Sequence, residues 1–213
     1  MNLLDYKKKF IDFALENNIL QFGNFKTKSG RVSPYFFNTG NFSDSKSLFN
    51  IGKFYSRAFI DSNIEFDTVF GPAYKGIPLV TSTSISLLKN GKNCKVSFNR
   101  KERKNHGDSG IIFGGSPNDR VIILDDVITS GLSINESKKL IDSFDGKLQA
   151  IYVSLDRMEV GDNGISAIKQ IIELYEVPVF SIINIENIIE YLSKNNKYQS
   201  KIENIREYIK KYS

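Results

Sequence analysis

The sequence predicts an α/β fold in which a twisted, parallel sheet is flanked by helices. From residue 67 onward, short apolar runs alternate with longer stretches in which apolar residues recur at helical spacing. Strands that alternate with helices imply right-handed crossovers and a parallel sheet covered on both faces. The first 60 residues fall outside this alternation, so they predict an N-terminal α+β hood over one edge or end of the sheet.

The hood is predicted to contain two helices and a pair of short strands. Apolar residues recur at helical spacing over residues 3–17, which indicates the first helix. Residues 19–38 alternate irregularly around Gly23 and Gly30 and are typical of short strands. A second helix over 45–61 is opened by Ser43-Asp44-Ser45, a segment suited to cap it.

The core elements follow in a regular order. Strands are predicted over 67–71, 95–98, 121–124, 148–155 and 177–183, with helices over 76–89, 131–144 and 164–175, a polar loop over 99–118, and further helices to the end. The chain has 213 residues, 40% of them hydrophobic, which suits one domain. We therefore expect a single domain over 1–213, with the hood at about 1–62 and the core at 63–213.

Composition narrows the class of protein. No apolar run approaches the roughly 20 residues of a membrane span, and the first residues lack a signal-peptide core, so we expect a cytoplasmic protein with no membrane partner. The lone Cys94 excludes an intrachain disulfide and is expected to be a small buried strand residue. The net charge of +5 would suit small polyanions or nucleic acid. The basic residues of 194–211 recur among apolar ones and predict a solvated helix face.

The segment VIILDDVITSGLS, residues 121–133, carries the strongest functional signal. An apolar strand ends in Asp125 and Asp126, and a Thr-Ser-Gly loop then opens a helix. A helix N-terminus offers unpaired N–H groups and partial positive charge, and Gly131 allows close backbone approach, so this loop is typical of a phosphate site. In such sheets, ligands bind beyond the carboxyl ends of the strands.

The two acids need a different partner. A carboxylate about 4 Å from a phosphate charge is repelled by roughly 1 kcal/mol in water and about 4 kcal/mol near a protein surface. Asp125 and Asp126 are suited instead to accept hydrogen bonds from hydroxyls or to face a divalent cation. A ribose 5-phosphate would supply both partners, because its phosphate suits the Thr-Ser-Gly loop and its 2′- and 3′-hydroxyls suit the two acids.

Other interpretations of an acid-ended strand stay open at this point. A nucleotide-binding acid of the Walker B type requires a phosphate loop with a lysine, but the nearest candidate, GPAYKGIP, has Ile77 in that place. The plainer alternative is a pair of acids in solvent followed by a Ser/Thr helix cap.

VIILDDVITSG resembles the phosphoribosyl-diphosphate signature of the type I phosphoribosyltransferases. Four further segments extend the likeness to the orotate phosphoribosyltransferases: SGRVSPYFFN (29–38), GPAYKGIP (71–78), FNRKERKNHGDSG (98–110) and SLDRME (154–159). The resemblance implies transfer of ribose 5-phosphate from 5-phosphoribosyl 1-diphosphate to orotate, which gives orotidine 5′-monophosphate and diphosphate in pyrimidine biosynthesis.

The resemblance also implies a set of site residues. Catalytic roles go to Lys104, His106, Asp125 and Asp126. The phosphoribosyl diphosphate would contact Lys28, Tyr74, Lys75, Arg100, Lys101, Lys104, His106, Asp125, Asp126, Val127, Ile128, Thr129, Ser130, Gly131, Leu132 and Ser133. Orotate would contact Phe36, Phe37, Thr129 and Arg157. Because successive strand residues face opposite sides, we expect either Phe36 or Phe37 to be core.

Three further expectations come with the resemblance. Residues 99–115 would form a lid that closes over the diphosphate of the neighbouring subunit, which makes the enzyme a homodimer with shared sites. Mg²⁺ would accompany the diphosphate without a dedicated protein metal site. The GPAYKGIP loop would contain a non-prolyl cis peptide.

Two alternatives differ in function. A purine phosphoribosyltransferase is disfavoured by Arg157 and the Phe36–Phe37 wall, which suit a planar anion. A regulator that binds nucleic acid is disfavoured because the chain has no spare region for such a module, so no nucleic-acid partner is expected.

Overall fold

The computed structural model describes residues 3–27, 30–100, 102, 111–161 and 164–213. The hood comprises α1 (Asp5–Glu16), β1 (Leu20–Lys26), β2 (Val32–Phe37), a 3-10 turn (Thr39–Asn41) and α2 (Ser45–Ser62). The core comprises β3 (Thr68–Gly71), α3 (Gly76–Lys89), β4 (Lys95–Asn99), β5 (Ile112–Phe113), β6 (Arg120–Leu124), α4 (Leu132–Asp142), β7 (Lys147–Asp156), α5 (Ala167–Tyr175), β8 (Val179–Asn184), α6 (Ile185–Leu192), a 3-10 turn (Asn196–Tyr198) and α7 (Gln199–Tyr212).

The main sheet has the strand order β5-β4-β3-β6-β7-β8. β4, β3, β6, β7 and β8 pair in parallel, which confirms the predicted fold class. β5 was not expected, since residues 99–118 were predicted to be a loop; it pairs antiparallel with the end of β4. Its apolar side chains explain the pairing, because the Phe113 ring stacks on Phe98 at 4.7 Å between centroids.

Both faces of the sheet are covered, as β6 illustrates. Val121 and Ile123 point into a core built with α4 and α5, whereas Ile122 and Leu124 point into a larger core that includes the hood. This alternation follows from the two-residue period of a strand. β6 is therefore fixed from both sides, and the loop that follows it starts from a rigid position.

Part of the hood packs on a face of the main sheet. β1 and β2 form a separate antiparallel pair, while α2 packs against α3 on one face of the main sheet. Asp44 caps α2 by accepting a hydrogen bond from the Ser47 backbone N–H at 2.7 Å, as predicted. The expectation of a cap confined to one edge or end was therefore too narrow.

Two smaller expectations have different outcomes. Cys94 is half-buried and directly precedes β4, so the prediction of a buried strand residue is wrong. In α7, Ile202, Ile205 and Tyr208 are buried while Lys210 and Lys211 are exposed, which confirms the solvated basic face. Within the described ranges, no helix is long and apolar enough to cross a bilayer.

Candidate active site

The acid pair lies at the carboxyl end of β6. Asp125 and Asp126 are only 7% and 8% exposed. The Asp125 carboxylate accepts hydrogen bonds from the Asp126 backbone N–H at 2.8 Å and from Ser133 Oγ at 2.9 Å. The Asp126 carboxylate accepts from the Val127 backbone N–H at 2.7 Å, from Thr39 Oγ1 at 2.5 Å and from Lys75 Nζ at 3.1 Å. Both acids are thus held in fixed orientations beside a cation.

The two carboxylates are electrostatically unfavourable neighbours. Burial, and then the charge of Asp126, raise the pKa of Asp125 well above its ordinary value. The backbone beneath them is held by Tyr55, which is fully buried and whose hydroxyl donates to the Asp125 carbonyl at 2.7 Å. The protein therefore holds two carboxylates side by side although the repulsion between them does not stabilise the fold.

The turn between β6 and α4 leaves donors available. Gly131 precedes α4 with a φ of +74°, a left-handed conformation that glycine adopts readily, and as the N-cap residue it has no side chain with which to cap the helix. Thr129 and Ser130 are exposed, while Val127 and Ile128 are half-buried. The ordinary Ser/Thr helix cap, the plainer alternative for this segment, is not formed. Leu132 begins the helix with a side chain that is 65% exposed.

The GPAYKGIP turn brings Lys75 to the acids. Gly71 and Gly76 approach each other so closely that a Cβ on Gly71 would lie 2.4 Å from the Gly76 carbonyl oxygen. The peptide bond between Ala73 and Tyr74 is cis, as the resemblance implied. Tyr74 is 65% exposed.

The polar loop after β4 begins at the same place. Asn99 Oδ1 accepts a hydrogen bond from the Ala73 backbone N–H at 2.7 Å, which ties this loop to the cis-peptide turn. The Arg100 backbone N–H donates to the Ile111 carbonyl at 2.5 Å, so the two ends of the loop are joined. Lys28, Lys101, Lys104 and His106 lie outside the described residues, and their roles stay predictions.

Arg157 and the hood strand β2 form a second part of the site. The Arg157 side chain is 12% exposed, pairs with Glu159 at 2.6 Å and donates from Nη2 to Ser33 Oγ at 3.0 Å. Its guanidinium lies 4.3 Å from the centre of the Tyr35 ring. These contacts fix the planar fork of the arginine beside β2.

The two phenylalanines of β2 differ, as strand geometry predicts. Phe37 is buried in the core at 5% exposure, whereas Phe36 is 43% exposed and stacks on Phe25. The expectation that one of the pair is core is confirmed. The aromatic surface that β2 offers a ligand is therefore that of Phe36, and the side chain of Phe37 cannot serve as one.

Four residues in this region were not predicted from the sequence: Thr39, Asn99, Ser33 and Glu159. Thr39 contacts an acid 87 positions away, and no local pattern signals such a contact. Glu159 lies two residues beyond Arg157 in the SLDRME segment, so its opposite charge was a usable signal. Among the described residues, no cluster of three or more His, Cys, Asp or Glu side chains could hold a metal ion.

The acid pair, the helix N-terminus and the cation beside them have the chemistry that the sequence predicted for a phosphorylated sugar. A family model described as the phosphoribosyl transferase domain matches residues 38–182, and the chain belongs to that family. Its enzymes are pentosyltransferases.

The relatives are more specific. An orotate phosphoribosyltransferase of Thiobacillus denitrificans is 44% identical over 93% of this chain and 93% of its own. One of Nitrosomonas europaea is 49% identical over 88% of this chain and 83% of its own. A crystal structure of an orotate phosphoribosyltransferase from Francisella tularensis is 38% identical, with a TM-score of 0.87 over 96% of this chain and 99% of that one. Within the family, the chain is therefore grouped with the orotate phosphoribosyltransferases of pyrimidine biosynthesis, which confirms the resemblance drawn from the five sequence segments.

Proposed function

We propose that this chain transfers the 5-phosphoribosyl group from 5-phosphoribosyl 1-diphosphate to orotate. The observation that carries the proposal is the adjacency of two buried carboxylates, Asp125 and Asp126, to an uncapped helix N-terminus with exposed hydroxyls. An anion and a neighbouring diol are the chemistry that these two groups recognise. The family membership supports the same class of substrate.

The phosphoribosyl group would be divided between the two halves of the 125–133 segment. Backbone N–H groups of the turn and the hydroxyls of Thr129 and Ser130, with Val127, Ile128, Gly131 and Leu132 shaping the turn, would hold the 5′-phosphate. Ser133, whose hydroxyl donates to Asp125, would contribute its backbone N–H. The carboxylates of Asp125 and Asp126 would accept hydrogen bonds from the 2′- and 3′-hydroxyls. Their negative charge would also stabilise the positive charge that grows on the sugar as the bond breaks.

The reaction breaks the bond between C1′ and the diphosphate oxygen and forms one between C1′ and a nitrogen of orotate. The electron pair of the broken bond leaves with the diphosphate, and the nitrogen lone pair forms the new bond, so no covalent enzyme intermediate is required. Tyr74, Lys75 and Arg100 would contact the ribose and the diphosphate, where cations stabilise the departing charge.

Orotate would lie between the hood and the end of β7. Phe36 offers an exposed ring and Arg157 a fixed guanidinium fork that suits a carboxylate or carbonyl. Thr129 would lie between the base and the phosphate, and the backbone of Phe37 would supply amide contacts. A planar anion fits this combination better than an uncharged purine.

The lid is the second source of cations. Lys101, Lys104 and His106 of the lid, together with Lys28, would surround the diphosphate. Lys104 and His106 would act on the leaving oxygen, and His106 suits that role because a histidine pKa lies near the operating pH. We propose that the lid serves the neighbouring subunit of a homodimer. A Lys101→Ala lid variant and an Asp125→Asn, Asp126→Asn core variant should then regain part of the activity when mixed, because one site of each mixed dimer combines an intact lid with intact acids. A mixture no better than its components would contradict shared sites.

Magnesium fits this arrangement through the substrate. The described residues around Asp125 and Asp126 offer at most two carboxylates to an ion, and Mg²⁺ commonly binds through substrate phosphates plus one or two carboxylates. When bound, it would neutralise part of the diphosphate charge. Asp125 and Asp126 would contact it directly or through water.

Two general features complete the proposal. We expect the whole chain, 1–213, to act as one domain, because hood and core share a continuous apolar core. We expect the enzyme to work in the cytoplasm without nucleic-acid or membrane partners.

The decisive test follows the ultraviolet absorbance of orotate with 5-phosphoribosyl 1-diphosphate and Mg²⁺. Orotate should be consumed and diphosphate released in equal amounts. A purine base is the matched control and should not turn over. Turnover of the purine with no loss of orotate would contradict the proposed choice of base.

A further inference from the structure

Thr39 of the hood contacts the carboxylate of Asp126 directly. It is 7% exposed and lies in the 3-10 turn Thr39–Asn41 that follows β2. Its hydroxyl donates to Asp126 Oδ2 at 2.5 Å and accepts from Lys75 Nζ at 2.9 Å. Thr39 thus joins three separate parts of the chain at one carboxylate oxygen.

The chemistry of the groups fixes the direction of both hydrogen bonds. A lysine ammonium only donates, an ionised carboxylate only accepts, and a hydroxyl has a single proton with two acceptor lone pairs. The Thr39 proton must therefore point at Asp126, and its oxygen must face Lys75. No rotation of the hydroxyl satisfies both partners in another way.

The turn that carries Thr39 is itself held in place. The Asn38 backbone N–H donates to the Ile19 carbonyl at 2.6 Å, and Asn41 Nδ2 donates to the Asn18 carbonyl at 2.8 Å. These bonds attach the turn to the segment after α1. The Thr39 hydroxyl is consequently a rigid donor, unlike Lys75, whose side chain is 64% exposed.

We propose that Thr39 is a positioning residue that orients the Asp126 carboxylate toward the ribose hydroxyls. This inference rests on the proposed role of Asp126. Thr39 and Lys75 occupy both lone-pair sites of Oδ2, so a ribose hydroxyl can bond there only after Lys75 leaves. An exposed ion pair is weak and is exchanged readily for a diphosphate. Thr39 keeps its bond to Oδ2 in both states and holds the carboxylate in place during the exchange.

Two variants of Thr39 distinguish the effect of its hydroxyl from the effect of its side-chain volume. Thr39→Val keeps the shape and removes the hydrogen bond, whereas Thr39→Ser keeps the hydroxyl. Thr83→Val is the matched control, because Thr83 is fully buried in α3 and its hydroxyl has no partner in the described part of the chain. Thermal unfolding of all three checks the fold, and Thr39→Ala replaces Thr39→Val if the latter does not fold.

The measurement is calorimetric binding of ribose 5-phosphate, with inorganic phosphate as the second probe. Loss of a hydrogen bond to a charged group should weaken ribose 5-phosphate binding by about 10-fold or more in Thr39→Val. Thr39→Ser and Thr83→Val should stay within about twofold of the parent, as should phosphate binding in every variant. In the full reaction, KM for the phosphoribosyl diphosphate should rise while KM for orotate is unchanged.

The Asp126→Asn variant distinguishes the role of Thr39 from the role of the acid pair. If Thr39 acts through Asp126, Thr39→Val should weaken binding no further in an Asp126→Asn background. Binding that weakens in Asp126→Asn but not in Thr39→Val would overturn the role of Thr39 alone, as would a Thr39→Ser variant as weak as Thr39→Val. Unchanged binding in Asp126→Asn would instead overturn the ribose role of the acid pair.

Discussion

The two ends of β6 carry acids that are treated in opposite ways. At the amino end, Asp119 directly precedes β6 and Asp67 directly precedes the neighbouring strand β3, and each is matched by a cation. Arg120 donates from Nε and Nη2 to Asp67, and Lys95 pairs with Asp119 at 2.7 Å. At the carboxyl end, Asp125 and Asp126 stand side by side, buried, with the mostly exposed Lys75 on one of them.

The pKa values follow this difference. The hydrogen bonds from Arg120 lower the pKa of Asp67 to about 2. Burial alone would raise the pKa of Asp119, but hydrogen bonds from Lys95, Thr68 and Ser116 lower it. Burial and the neighbouring acid raise the pKa of Asp125. One end of the strand is therefore arranged for stability, and the other retains unfavourable charge that a ligand can use.

Removal of both carboxyl-end charges should give the largest effect on activity. We expect the Asp125→Asn, Asp126→Asn double variant to lose about 100-fold or more in kcat/KM, the scale seen when a preorganised electrostatic group is removed. Its melting temperature should change little, because a repulsive pair is removed along with its hydrogen bonds. Orotate turnover and thermal unfolding measure the two quantities. A double variant that unfolds while the residual folded enzyme keeps full activity would reverse the comparison.

The amino end should show the opposite pattern. Asp119→Ala leaves the Thr68 hydroxyl buried without its 2.6 Å acceptor and removes the partner of Lys95. We expect a loss of about 2–3 kcal/mol in unfolding free energy and a fall of about 5–10 °C in melting temperature, with unchanged turnover per folded molecule. Asp142→Ala, at an exposed ion pair on α4, is the control and should change stability by less than about 0.5 kcal/mol.

Stability should depend on pH with opposite signs at the two ends. The folded pKa of Asp67 lies below the unfolded value of about 3.9, so its contribution is present above that value and is lost as pH falls toward about 2. The folded pKa of Asp125 is raised to about 6, so its contribution is present below about 3.9 and is lost as pH rises through about 6.

Denaturant unfolding from pH 3.5 to 7 tests the predicted pH dependence of the Asp125 contribution to stability. Relative to Asp125→Asn, the parent should lose about 1–3 kcal/mol between about pH 4 and pH 6. Asp145→Asn, at an exposed turn residue, is the control and should track the parent. Parallel curves for the parent and Asp125→Asn would contradict a raised pKa at the carboxyl end.

The sequence predicted the carboxyl end of β6 better than the amino end. An apolar run followed by Asp125 and Asp126 and a glycine-containing turn is a local pattern. Periodicity located the core strands except β5 and the helices α3, α4 and α5, and it predicted helices after β8 without their bounds. Strand alternation also distinguished Phe36 from Phe37 in principle, without saying which was buried.

What the sequence did not predict depends on contacts between distant segments. Thr39 reaches Asp126 across 87 residues, and Asn99 reaches the Ala73 backbone across 26. The pairing of Asp67 with Arg120 spans 53 residues. Nothing in the spacing of charges along the chain identifies such partners, because the order of strands in the sheet decides which strand ends meet.

The smallest expected effect concerns the Arg120 fork. Arg120→Lys keeps the charge at the amino end but cannot form the two parallel bonds to Asp67 at 3.0 and 2.9 Å. Since the Arg120 side chain is 41% exposed and that of Asp67 38%, we expect a loss of only about 0.5–1 kcal/mol in unfolding free energy. The loss should shrink in 1 M salt, where the screening length is about 3 Å.

Arg57→Lys, at the exposed pair with Asp61 in α2, is the matched control and should be nearly neutral. Equal losses in the two variants would show that the amino-end pairing is no stronger than an ordinary surface pair. The contrast between the ends of β6 would then rest on Asp119 and the carboxyl-end acids.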